Sequence, residues 1–97
     1  MITIDEMHEI LNDLADEIPE AFFEELNGGI TLVEETVYSP EAKKNDLYIV
    51  AEYVVGGWMG RYIRFHYGSF IKAYGEVTPE DAKTILRHIM RHEFRHH

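Results

Sequence analysis

Near the end of the chain, His92, Glu93 and His96 stand in the order His-Glu-x-x-His. On a helix this spacing puts two imidazoles on one face, one turn apart. They are then close enough to share a zinc ion, with a carboxylate beside them. The chemistry open to such a set is hydrolysis by metal-activated water, with Glu93 as general base and His92 and His96 as metal ligands. The plainer reading of the same residues is a His-rich helix end in solvent, since six histidines in 97 residues raise the odds of a chance pattern.

The carrying element can be judged separately. Thr78 as N-cap, Pro79 at the first helical position and Asp81 three residues after the cap form a start signal, and no glycine or proline follows. The pattern predicts a helix from Pro79 to the terminus. At about 100° per residue, Ala82, Ile85, Leu86, Ile89 and Met90 share one arc, and Lys83, Arg87, Arg91 and Arg95 share the opposite one. Glu93 falls in the apolar arc, His96 inside it and His92 just outside its edge. A bare carboxylate on that face costs several kcal/mol, roughly, unless it has a partner.

At 97 residues, 45% hydrophobic with 12% aromatic, the chain is expected to be a single folded domain. No apolar run is long enough for a membrane span and the first residues are acidic, which points to a cytoplasmic protein without a membrane partner. Without cysteine, any zinc must be held by histidine and carboxylate. Residues 1–50 hold thirteen acids and two lysines (−11) and residues 51–97 five acids and seven bases (+2), together the net −9. An acidic front half disfavours nucleic acid as a partner, and Arg87, Arg91 and Arg95 read as a solvated stripe.

Taken in order, Thr3 and Glu6 form a capping box ahead of Met7, Ile10, Leu11, Leu14 and Ile18 at helical spacing. Pro19 ends that helix, and Phe22, Phe23 and Leu26 form a short second segment closed by Asn27, Gly28 and Gly29. Ile30 to Tyr38 reads as a strand, Ser39 to Asp46 as a loop, and Leu47 to Val55 as a strand or short helix, with the strand favoured. Gly56, Gly57 and Gly60 turn the chain around Trp58. Arg61 to Tyr67 then alternates, with Ile63, Phe65 and Tyr67 on one face and Arg64 and His66 on the other. Phe70 to Tyr74 is expected to continue extended until Gly75.

The whole resembles the small bacterial zincin-like metallopeptidases, the minimal zincins. The resemblance rests on the leading helix, the Ile18-Pro19-Glu20 break and the Ile30 to Val33 strand. It continues through Gly60-Arg61-Tyr62-Ile63 and Tyr67-Gly68-Ser69-Phe70 to Arg91-His92-Glu93-Phe94-Arg95-His96-His97. It implies an α+β fold with N-terminal helices, a small mixed sheet whose edge strand lines a substrate cleft, and a C-terminal motif helix. It also implies peptide-bond hydrolysis of peptide or protein substrates with zinc on His92 and His96 and Glu93 as base. Zincins take a third protein ligand after the second histidine, in this family an aspartate, and none follows here. The chain therefore reads as one zincin-like domain, residues 1–97, truncated just after the motif, binding zinc weakly and inactive in this form. His97 points about 100° away from His96. His88, His92 and His96 spread over about 12 Å. His66 would serve only if its strand face met the helix. A non-catalytic domain of the same fold, serving in binding or assembly, is the alternative.

Overall fold

The computed structural model describes residues 1–39 and 47–95. Its first element, helix α1 (Ile4–Asp16), begins as the capping box requires: the Thr3 hydroxyl accepts from the Glu6 amide at 3.1 Å, and the Thr3 amide donates to the Glu6 carboxylate at 2.9 Å. Met7, Ile10, Leu11 and Leu14 are buried along one face while the acids face solvent. The chain then breaks at Ile18-Pro19 into a single 3-10 turn, Glu20–Phe23. Proline fits there because its fixed φ needs no amide donor.

Three strands follow: β1 (Gly29–Val33), β2 (Ala51–Val55) and β3 (Arg61–His66). Their order is β1-β3-β2, with β1 parallel and β2 antiparallel to β3, so β2 is an edge strand. Register pairs Ile30 with Ile63, and both Leu32 and Ala51 with Phe65, which collects the apolar side chains on one face. Ile63 and Phe65 are fully buried there beneath the helices. β2 and β3 are joined through Gly56, Gly57 and Gly60, all at positive φ, a conformation that favours glycine. Trp58, at the tip of this connection, is 95% exposed.

Helix α2 (Tyr67–Tyr74) and helix α3 (Pro79–Arg95) complete the domain. The Thr78 hydroxyl accepts from the Asp81 amide at 3.1 Å, the cap that the sequence predicts. Ala82, Leu86, Met90, Glu93 and Phe94 form the buried face of α3, with Ile85 and Ile89 half-buried beside it. α3 packs on α1 and on β2. Arg87 clamps the first of these contacts: its Nε and Nη2 donate to the two Glu17 carboxylate oxygens at 2.8 and 3.0 Å.

The sequence reading needs four corrections. Residues 70–74 are helical rather than extended: α2 starts directly at the end of β3, so Tyr67 leaves the strand face assigned to it. There its hydroxyl donates to the Ile2 carbonyl at 2.7 Å. The strand expected at Ile30 to Tyr38 stops at Val33, because the Glu34 carbonyl accepts from the Gly68 amide and both hydrogen-bonding groups of Val37 engage Ser69 Oγ. The segment Leu47 to Val55 is a strand only from Ala51, preceded by a bridge between Tyr38 and Tyr48. The first helix ends at Asp16, short of Ile18. Positions 40–46 of the expected loop lie outside the described residues. The result is an α+β domain with a small mixed sheet. Among the described residues no helix is long and apolar enough to cross a membrane.

Candidate functional site

The last two turns of α3 meet the N-terminal approach to β2 across a cleft of about 440 Å³. His88, Ile89, His92 and Glu93 form its helical wall, Tyr48 to Ala51 the opposite wall, and Ser39, Ala73 and Tyr74 the remainder. The helical wall follows from spacing: residues 88, 89, 92 and 93 recur at one-turn intervals and so share a side of α3. Glu93 keeps only 9% of its surface, whereas His88 and His92 are exposed. The neighbours of Glu93 on the buried face are Leu86, Met90 and Phe94, so its carboxylate is held at the boundary between core and cleft. Both Glu93 and His92 make polar or ring interactions in the folded chain.

Two of the three motif residues lie on the helix faces that periodicity gives them. Glu93 is buried on the apolar arc, and His92 stands beside it at the edge of that arc and opens to the cleft. His96 lies outside the described residues, as does His97. Among the described residues no group of three or more metal-capable side chains converges. The donors that do face the cleft, imidazole and carboxylate without thiolate, fit part of the ligand set of a catalytic zinc site.

The other candidates are distributed differently. His66 is on the outer face of the sheet with Arg64, Tyr62 and Glu52, away from the helices. Its Nε2 lies 3.4 Å from a Glu52 carboxylate oxygen, and its Nδ1 is buried without a hydrogen-bond partner among the described residues. It cannot reach the cleft, since register puts it opposite Ile63 and Phe65. Arg64 shares the same Glu52 oxygen at 3.4 Å and also donates to the Tyr62 hydroxyl.

Among the aromatic residues, Tyr74 lines the cleft, while Tyr62 is buried on the outer face, Tyr67 is tied to Ile2 and Trp58 projects into solvent. Sequence reading did not assign Ser39 and Tyr48 to the cleft. The pairing of 37–39 with 47–49 brings them there, and nothing local to either segment announces it.

A solved relative shares this arrangement of elements. It is described as a conserved hypothetical protein from Thermo thermophilus, with 29% identity and a TM-score of 0.83 over 98% of this chain and 92% of that one. No protein-family profile matches the chain, and no curated protein matches it in sequence. The relative's description names no activity, so the likeness speaks to the α+β architecture.

Proposed function

We propose that the chain is a zincin-like, zinc-dependent peptidase domain whose cleft between α3 and β2 receives an extended peptide. The observation that supports it is the placement of Glu93: a carboxylate taken almost entirely out of solvent, yet lining a cleft beside an exposed histidine one residue away. A carboxylate fixed at the edge of a cleft one residue from an imidazole is the pairing of base and metal ligand that a hydrolytic task needs.

In this reading His92 and His96 hold the metal. When bound, zinc brings the pKa of a water near about 7 and polarises the carbonyl under attack. Glu93 takes the proton from the attacking water and returns it to the leaving amine, a role that needs a carboxylate fixed within hydrogen-bond reach. Rigidity comes from the flanking residues: Met90 and Phe94 are buried on either side of Glu93 in the same helix. The edge strand supplies backbone groups along which a substrate strand can be laid, and Tyr48 and Tyr74 supply apolar walls with a hydroxyl each.

The test is hydrolysis of a quenched-fluorophore peptide library by zinc-supplemented protein that carries a third metal ligand after His96, since the 97 residues by themselves are expected to bind zinc weakly and turn over nothing. Glu93→Gln is expected to lower the rate by about two to four orders of magnitude while retaining metal. His92→Ala is expected to lose both metal and rate. Equal cleavage with and without the glutamine would remove Glu93 from the mechanism. Metal binding without any cleavage would favour the non-catalytic alternative.

A further inference from the structure

The Phe22 ring stands 47% exposed over the end of α3, edge-on to Phe94 with centroids 6.2 Å apart. A cavity opens on each flank of this ring pair. One, of about 280 Å³, is floored by Ile18, Pro19, Phe22 and Phe94 and rimmed by Arg91 and Arg95. The other, of about 320 Å³, has Ala21, Phe22 and Phe94 with Glu24 and Glu25 at its rim. A single apolar ridge thus separates a basic groove from an acidic one.

The rim charges are poorly used within the chain. Arg87, one turn before Arg91, is bound to both Glu17 oxygens. Arg91 and Arg95 form no ion pair or hydrogen bond among the described residues, although Arg91 adds to the field at Glu17. Glu24 likewise has no cation within ion-pair distance among the described residues, whereas Glu25 meets Arg61 at 3.7 Å. Two arginines without an ion pair among the described residues are unexpected in a protein of net charge −9.

We infer that a second copy of this chain occupies the patch: Phe22 of each protomer seats in the partner's basic groove and carries Glu24 to the partner's Arg91 and Arg95. A two-fold axis through the ridge makes this pairing twice, once for each acidic and basic rim, which is the self-complementarity that an isologous contact requires. A groove of that volume has room for a phenyl ring. An acidic ligand of another kind would satisfy the arginines but be repelled at the second groove by Glu24 and Glu25, so charge favours the copy. The net charge of each protomer opposes approach, which makes the dimer weak and concentration-dependent.

Sedimentation velocity over a wide concentration range tests this. Wild type is expected to pass from monomer to dimer as concentration rises. Arg91→Glu with Arg95→Glu, and separately Glu24→Lys with Glu25→Lys, should each weaken association by at least about tenfold. All four sites are exposed, so both variants should fold, and circular dichroism checks this. An equimolar mixture of the two variants restores opposite charge at both contacts, and should form a heterodimer at the wild-type concentration. Phe22→Ser should stay monomeric. A wild type that is monomeric up to millimolar concentration, reversed-charge variants that dimerise as wild type does, or a mixture that fails to recover association would each overturn the inference.

Discussion

Replacing Phe94 with alanine should show how the end of α3 is held. The ring is 6% exposed and meets two others edge-on, Phe23 at 5.4 Å and Phe22 at 6.2 Å, so it ties the motif's own helical turn to the 3-10 turn after Pro19. Truncating a buried phenylalanine costs about 3–5 kcal/mol, ring-pair terms included. The lower end applies here, because half-exposed Phe22 can fall into part of the space. Against a total stability of roughly 5–15 kcal/mol for a chain of this size, a loss of about 3 kcal/mol is severe.

With a urea m-value of about 1–1.5 kcal/mol per molar, the midpoint followed by far-ultraviolet circular dichroism should fall by about 2–3 M. Amide exchange should accelerate most in the last two turns of α3, ahead of α1, because the lost contacts are local to that end. A midpoint change below about 0.5 M would refute the reasoning, since it would mean that the last turn is held by something other than these rings.

Three further outcomes follow from particular contacts. Arg87 bonded to Glu17 holds the Glu17 carboxyl below its ordinary value, so the pair's contribution is present above the unfolded pKa and is lost as pH falls through the folded one. Glu17→Gln should therefore lower the urea midpoint near neutrality, and the gap to wild type should close on the acid side of the ordinary carboxylate range. Ser69→Ala removes the hydroxyl that accepts from the Val37 amide at 2.8 Å and donates to its carbonyl at 3.2 Å. It should cost about 1–3 kcal/mol and speed amide exchange at Val37, near the Ser39 wall of the cleft. Gly68→Ala would press a methyl group to 2.8 Å from the Glu34 carbonyl oxygen and against Thr36, so denaturation should show a loss of about 1–3 kcal/mol that Thr36→Ser does not repair.

Where local rules acted alone, the sequence was readable. Thr3 with Glu6, and Thr78 with Asp81, start their helices because a cap is satisfied by residues three apart. The arc from Ala82 to Met90 located Glu93 because a helix has one period. The failure at residues 70–74 has a different origin. Alternation along β3 invited continuation, yet the chain turns helical at Tyr67, where Gly68 and Ser69 bond to Glu34 and Val37 more than thirty positions away.

A local signal for that helix existed: Tyr67, Phe70, Ile71 and Tyr74 recur at helical intervals, and Gly75 at φ 60° closes it by donating to the Ile71 carbonyl. The cleft was legible on its α3 side alone. Its other wall depends on which strand becomes the sheet edge, and that is fixed by pairing between distant segments.

Trp58 is the only tryptophan in the chain, and it stands on the β2–β3 connection with almost its whole surface in water. Its indole has the same surroundings before and after unfolding. Intrinsic emission excited near the red edge should therefore peak at the wavelength of a solvated indole in both states and pass through a denaturant titration almost unchanged. The six tyrosines, with Tyr62 buried and Tyr67 hydrogen-bonded to Ile2, carry the optical record of folding instead. A flat tryptophan signal from this protein is thus silent about folding, and should not be taken for a chain that never folded.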